Sequence, residues 1–261
     1  MSDELAGKVI FLTGGGRGIG RACSLGYARA GATVVVADID DALASEAVSH
    51  LPAGSGQMLH CDVSDAASVK AAVAATLERF GHIDVVHNNA GVSSPSHPLH
   101  ETSEEQWDRL FNINLKSILF TTQAAYEALK AVKGCILNTA SMVGLLGQEN
   151  HAAYVATKGA IVALTKAMAL DYAEAGIRVN AVCPAAIWTP MLRQWVNEQP
   201  DPCVSEDFLN DIHVLGYCPN GDVVADAAVF LVSDKARFIT GLAMPVSGGA
   251  ELGYRHIIHH A

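Results

Sequence analysis

Tyr154 and Lys158 stand four residues apart in an Ala-rich run, so they share one face of a helix. A phenol is a poor acid or base at neutral pH, its ordinary pKa being about 10. A fixed ammonium nearby favours the phenolate and lowers that pKa, making a proton shuttle suited to general acid–base catalysis. Ser141 lies 13 residues before Tyr154, after the apolar run Cys135-Ile136-Leu137. Its hydroxyl is placed to donate to a carbonyl or alkoxide oxygen held beside the phenol. Taken alone, Tyr-x-x-x-Lys also fits an ordinary helix with a partly exposed Tyr and Lys. The rest of the chain decides between the two.

Three further stretches have chemical use. Val9 to Thr13 is a short apolar run leading into Thr13-Gly-Gly-Gly-Arg-Gly-Ile-Gly20 and then a helical pattern to Ala30. Strand, glycine turn and helix is the context in which a backbone approaches a pyrophosphate, with the phosphate charge at the helix N-terminus. Gly14, Gly18 and Gly20 carry that spacing. Thr33 to Asp38 reads as the second strand, and Asp38 at its end is placed to accept from a ribose 2′-OH and to repel a 2′-phosphate. Arg17 points the other way, as a phosphate partner; Asp38 takes precedence because its repulsion is direct. Asp62, closing a strand from Gln57, is placed to accept from an adenine amino group.

The elements that must position these groups alternate regularly. Asp65 to Phe80 reads as an amphipathic helix and Asp84 to Gly91 as a strand ending in a small-residue turn. Thr102-x-x-Glu105 has the spacing of a capping box and opens a helix to about Lys130 that contains Asn112 and Asn114. Gly134 to Ser141 is a strand, the Tyr154 helix runs to about Glu174, and Ile177 to Pro184 is a strand. Asp222 to Ser233 is a helix and Ala243 to Val246 the last strand. Strands alternating with helices predict a doubly wound parallel α/β sheet of about seven strands, with helices on both faces. Right-handed crossovers put Gly14, Asp38, Asn89, Ser141 and Pro184 on one edge of it. Residues 185–216 break the rhythm and predict a lid, with Trp188, Met191 and Trp195 as apolar walls and His97, Gln148 and His151 as hydrogen-bond partners. Packing of the lid onto the domain explains the Trp residues equally well.

The 261 residues, half of them apolar and 17% charged, fit one large domain spanning 1–261. A formal charge of −10 argues against nucleic-acid or anionic-membrane partners. The six Cys show no C-x-x-C spacing, and four sit in apolar contexts as reduced thiols. Asp3 and Glu4 open the chain, the first apolar run is too short for a signal, and no run approaches ~18 apolar residues. The expected setting is the cytoplasm. The His-rich end, His256 and His259-His260, reads as a solvated tail, and no metal is expected.

With these residues in place, the chain resembles the short-chain dehydrogenase/reductase family over nearly its full length. The glycine motif, Asn88-Asn-Ala-Gly91, Asn114, Ser141, Tyr154-x-x-x-Lys158 and Arg178-Val-Asn-Ala-Val-Cys-Pro184 follow the family's order and spacing. The resemblance implies a Rossmann-type enzyme moving a hydride between NAD(H) and a substrate carbon. Tyr154 would be the acid/base, Ser141 would orient the substrate oxygen, Lys158 would bind the nicotinamide ribose and lower the phenol pKa, and Asn114 would hold a water through a local helix distortion. It implies cofactor contacts from Ile19, Val63, Ala90, Gly91, Pro184, Ile187 and Thr189 besides those above, and a homotetramer. Three departures stand out: Ala185 where Gly is usual, Ser247 where Asp is usual, and Leu215 to Asp222 without the usual Arg, Gly and Pro. A small, largely uncharged secondary alcohol is the expected substrate, with a 3-oxoacyl thioester as competitor. A catalytically silent dinucleotide sensor on the same fold is the other reading; the joint presence of Ser141, Tyr154 and Lys158 favours the enzyme.

Overall fold

The computed structural model describes residues 3–253; the His-rich end falls outside them. Val9–Thr13 (β1), Thr33–Asp38 (β2), Gly56–His60 (β3), Val85–Asn88 (β4), Cys135–Thr139 (β5), Arg178–Pro184 (β6) and Ala243–Val246 (β7) form one parallel sheet in the order β3-β2-β1-β4-β5-β6-β7. Strands β1, β4 and β5 are buried at every position, as strands covered on both faces must be, and their polar ends His87, Asn88, Asn138 and Thr139 find hydrogen-bond partners inside. One core lies on each face. Phe11, Val35, Val86, Ile136 and Val179 belong to one, and Ile10, Leu12, Val34, Val36 and Leu137 to the other, following the alternation along each strand.

The helices are Gly18–Arg29 (α1), Asp41–Ser49 (α2), Ala66–Phe80 (α3), Glu104–Phe111 (α4), Ser117–Val132 (α5), Ala152–Asp171 (α6), Pro190–Asn197 (α7), Pro202–Asp211 (α8) and Asp222–Val232 (α9). Most begin where a short polar side chain accepts from the first turn: Asp40 for α2, Asp65 for α3, Thr189 before Pro190 for α7, and Asp201 before Pro202 for α8. The expected capping box moves by one residue. Ser103 Oγ accepts from Gln106 N at 3.1 Å and Gln106 Oε1 accepts from Ser103 N at 3.1 Å, while Thr102 sits outside the helix. Either frame satisfies the sequence pattern, and the amide of Gln106 completes the reciprocal pair.

Other expectations change. The helix expected from Thr102 to Lys130 is interrupted at Asn112–Lys116 by a π turn. Residues 185–216 are not irregular: α7 and α8 pack on each other around Val196, Leu209 and Cys218. Helix α6 is long and apolar enough, by length and composition, to cross a membrane, although Thr157, Lys158, Thr165 and Lys166 interrupt its apolar residues. Ala and Val dominate it, but Thr157, Lys158, Ile161 and Thr165 are buried against the protein, so it is a layer of this fold. All six Cys are free; five are buried and Cys203 is exposed, one more buried thiol than expected.

His87 on β4 is fully buried, with no exposure. Burial pushes its pKa down from 6.5 to about 3. Between those values the unfolded chain binds a proton that the folded chain refuses, so stability falls as pH drops below about 6.5. The expected slope is about 1 kcal/mol per pH unit beyond that of a variant with His87 replaced by Leu and Tyr27 by Phe. Urea unfolding of both proteins from pH 7 to 4.5 measures it; parallel curves would mean that His87 is protonated in the folded state.

Candidate active site

A cavity of about 370 Å³ opens along the C-terminal edge of the sheet. It crosses the point where the strand order reverses between β1 and β4, the usual ligand crevice of such sheets. The turn after β1 forms one wall. A Cβ at Gly14 would lie 2.8 Å from Ala90 Cα, and one at Gly20 would lie 2.0 Å from Gly14 O. Only glycine permits both approaches. Helix α1 then starts at this wall with no side-chain cap, unlike α2 and α3, so its first N–H groups are left for a ligand. That uncapped N-terminus and the glycine cradle fit the pyrophosphate of a dinucleotide. Asp38 closes β2 beside them, Oδ2 accepting from Gly16 N at 2.9 Å and Oδ1 from Asp40 N at 3.1 Å. Asp62 and Val63 line the same half.

The other half holds the candidate chemistry. Ser141 follows β5; Tyr154 and Lys158 project from α6, and all three line the cavity. The turn after Ser141 lies against α6 so closely that a Cβ at Gly144 would be 2.6 Å from Lys158 O, which fixes the serine relative to the helix. Lys158 is buried, and its Nζ donates to Thr139 O at 2.8 Å and lies 5.6 Å from the Tyr154 ring centroid. Burial pushes the Tyr154 phenol up to about 12, opposed by a hydrogen bond with Ser141, and pushes the Lys158 ammonium down to about 8. In the protein alone desolvation outweighs the ammonium, which is itself desolvated and committed to a carbonyl.

Asn114 sits in the π turn behind these residues. Its Oδ1 accepts from Val92 N at 2.8 Å, and its Nδ2 donates to Val92 O at 3.0 Å and to Thr157 Oγ1 at 3.2 Å. The side chain thus ties the turn after β4 to α6, and its bonds go to protein. Widened turns of this kind recur at functional sites because they displace backbone groups from the helical ladder.

Of the residues expected to meet the cofactor, Gly14, Arg17, Gly18, Ile19, Gly20, Asp38, Asp62, Val63, Asn89, Ala90, Gly91, Tyr154, Lys158, Pro184 and Thr189 line the cavity. Ile187 does not; its side chain packs in the core beside α9. Of the expected substrate partners, Ser141 and Met191 line it. Trp188 and Trp195 pack instead around the core of the lid, and Arg193 stacks on Trp188 at 4.8 Å. Gln148 is exposed, and His151 is buried at the start of α6 with Nδ1 donating to Glu149 O at 2.9 Å. Neither reaches the cavity, nor does His97, whose N–H donates to Asn150 O at 2.9 Å. The lining adds Ile39, Val92, Arg109, Ile113 and Pro190, which sequence reasoning missed. Ile39 carried a signal, a large apolar residue between two acids at a strand end. Arg109 and Ile113 did not, since the phase of their helix is set by the π turn. Among the described residues no group of three or more His, Cys, Asp or Glu is arranged to hold a metal.

Comparison with known proteins adds to this geometry. A family model described as enoyl-(acyl carrier protein) reductase matches residues 14–251. L-fucose dehydrogenase from Bos taurus is 40% identical over 254 residues, covering 97% of this chain and 93% of that protein. Meso-2,3-butanediol dehydrogenase from Serratia marcescens is 40% identical over 243 residues, covering 93% of this chain and 94% of that protein. Among solved structures, a 3-ketoacyl-(acyl-carrier-protein) reductase from Brucella melitensis complexed with NADH aligns with a TM-score of 0.88 at 34% identity, over 95% of this chain and 99% of that one.

Proposed function

The chain belongs to the short-chain dehydrogenase/reductase family of oxidoreductases, and from that membership we propose that it oxidises a small, largely uncharged secondary alcohol, a polyol, sugar or cyclic alcohol, with NAD. The observation that carries the proposal is the joining, in one cavity, of a glycine cradle at an uncapped helix end with Ser141, Tyr154 and Lys158. The bound dinucleotide supplies the hydride acceptor. Ser141 orients the substrate oxygen, and the Tyr154 hydroxyl, which must be deprotonated to act as base, takes the alcohol proton. Lys158 holds positive charge beside the phenol and binds the nicotinamide ribose. Asn114, its side chain engaged by Val92 and Thr157, ties the turn after β4 to the helix that carries Tyr154 and Lys158. The alcohol dehydrogenases at 40% identity support the substrate class.

A 3-oxoacyl thioester is the second reading, favoured by the names of the family model and of the NADH-bound relative. The lid speaks against it. Glu198, Asp201, Glu206, Asp207 and Asp211 are exposed on α7, α8 and their junction, where a polyanionic carrier wants a basic approach. Arg193, the cation on these helices, is stacked on Trp188. Around Ser141 and Tyr154 the lining of Val92, Pro184, Ala185, Pro190 and Met191 is uncharged. The test compares kcat/KM for a panel of cyclic alcohols, polyols and sugars with that for a 3-oxoacyl thioester. A thioester preferred by about tenfold, or about 1.4 kcal/mol of transition-state binding, reverses the assignment.

NAD is expected to outcompete NADP because the Asp38 carboxylate is held at the end of β2 by two backbone donors, where a 2′-phosphate would meet its charge. Asp38→Ala narrows the preference, with Arg17 available to the phosphate. A wild type already faster with NADP at equal concentration reverses the ranking of these two residues. The protein acts as a homotetramer in the cytoplasm on this reading. An apolar groove between α5 and α6, with Leu115, Leu119, Tyr126 and Leu164 on its walls, supports pairing through those helices, and the free thiols support a reducing compartment. A monomer in sedimentation at micromolar concentration would exclude the tetramer.

A further inference from the structure

Four side chains from four separate segments form a row beneath the cavity. Tyr27 Oη lies 2.9 Å from His87 Nδ1, His87 Nε2 lies 2.9 Å from Thr139 Oγ1, and Thr139 Oγ1 lies 3.2 Å from Asn89 Oδ1. Tyr27 and His87 are wholly buried and line no part of the cavity. The far end of the row fixes the direction of every proton in it. Asn89 Nδ2 donates to Thr13 O at 3.2 Å and to Gly14 O at 3.0 Å. Two carbonyls demand an NH₂ there, so Oδ1 faces Thr139 and must accept. The Thr139 hydroxyl has one proton, which goes to Asn89. His87 Nε2 must then carry the proton that Thr139 accepts, leaving Nδ1 to accept from Tyr27. Each donor and acceptor along the row is used in one direction. Reversal would leave Asn89 Oδ1 without this donor and turn the Tyr27 proton away from the imidazole.

We propose that Tyr27 and His87 are positioning residues for the dinucleotide, holding the Thr139 proton on Asn89 so that its amide clamps the turn at Thr13 and Gly14. The clamped turn is the glycine cradle itself, where a Cβ on Gly20 would already collide with Gly14 O and Asn89 Nδ2. Thr139 also supplies the carbonyl that holds Lys158, so one residue links the cradle to the catalytic helix. The proposal rests on the reading of the cavity as a dinucleotide site.

The test separates direction from packing. Tyr27→Phe removes the donor to Nδ1, so the Asn89 end alone opposes the other tautomer, and the imidazole now competes with Asn89 for the Thr139 proton. NADH dissociation, followed by fluorescence, weakens by about fivefold, the worth of one buried neutral hydrogen bond, while kcat at saturating NAD stays within about twofold. Adding His87→Leu removes the competing acceptor and leaves Asn89 as the partner of Thr139. Affinity then returns to within about twofold of wild type, whereas a packing role alone makes the double variant weaker than the single. Unchanged NADH binding by folded Tyr27→Phe, or a double variant weaker than the single, overturns the proposal. A wild type that binds neither NADH nor NADPH defeats the dinucleotide reading instead. Nitrogen NMR of the histidine-labelled wild type decides independently of any variant's folding: a neutral His87 with its proton on Nε2 supports the row, and a proton on Nδ1 overturns it.

Discussion

Tyr154→Phe is expected to lower kcat by about 10²–10⁴-fold while leaving the NADH dissociation constant within about twofold of wild type. The substitution removes one oxygen, the atom that exchanges the proton, and keeps the ring that packs beside Lys158 at 5.6 Å. The fold has little reason to respond, because Tyr154 is half-buried and its hydroxyl bonds to Ser141. The phenol carries the burden of the argument because its pKa of about 12 in the protein alone makes it a reluctant base. Positive charge beside it must therefore be part of its activation, and loss of the hydroxyl leaves nothing else in the cavity lining placed to take the proton from an alcohol. Single-turnover absorbance at 340 nm with saturating NAD separates the chemical step from binding. A kcat within a few-fold of wild type would remove Tyr154 from the mechanism, and an equal loss of NADH affinity would recast it as a binding residue.

Gly20→Ala is expected to do comparable damage by a different route. Its Cβ would lie 2.0 Å from Gly14 O, 2.9 Å from Gly14 C and 2.6 Å from Asn89 Nδ2. Two of these are backbone atoms that cannot rotate away, so the turn itself must move. Overpacking of a tight interior costs about 1–3 kcal/mol, and this collision belongs at the upper end or beyond it. The displaced turn also loses its shape as a phosphate cradle, so NADH affinity falls by about 100-fold, equivalent to about 3 kcal/mol. Gly159→Ala is the control. Its Cβ would meet Gly144 O at 3.7 Å, an ordinary contact, in the interior of α6 where alanine is favoured by about 0.5–1 kcal/mol. Thermal melts and NADH titration of the two variants side by side check the pair. Comparable behaviour would show that the cradle yields more readily than its backbone contacts imply.

What could be read from the sequence was what lies close together along the chain. The glycine turn, Asp38 and Tyr154-x-x-x-Lys158 are each compressed into one strand end or one helical turn, so their spacing alone fixes their geometry. The α/β rhythm placed all seven strands and left errors of one or a few residues at their ends, because strand ends depend on pairing with neighbours. Trp188 and Trp195 were ambiguous for a physical reason. A lid needs an apolar interior as well as an apolar wall, and the sequence pattern is the same for both; the structure puts these two into the interior. The row from Tyr27 to Asn89 was invisible because its members come from α1, β4, β5 and the turn after β4. Tyr27, His87 and Thr139 each alone look like ordinary core residues, and Asn89 was legible only as part of its motif. The Asn114 side chain was legible as a motif, but its actual partners, Val92 and Thr157, were not.

The π turn at Asn112–Lys116 sets the rotational phase between α4 and α5. Such a turn is equivalent to one residue inserted into a helix, and each residue advances the side chains by about 100°. Deleting any residue from 112 to 116 would relieve the widened turn and restore a continuous helix, locally a gain. It would also swing α4 by more than a quarter turn relative to α5, carrying Leu110 out of the interior and Arg109 away from the cavity wall. The length of this stretch is thus governed by angle rather than by fit, and it is a place where substitutions are tolerated more readily than single-residue gains or losses.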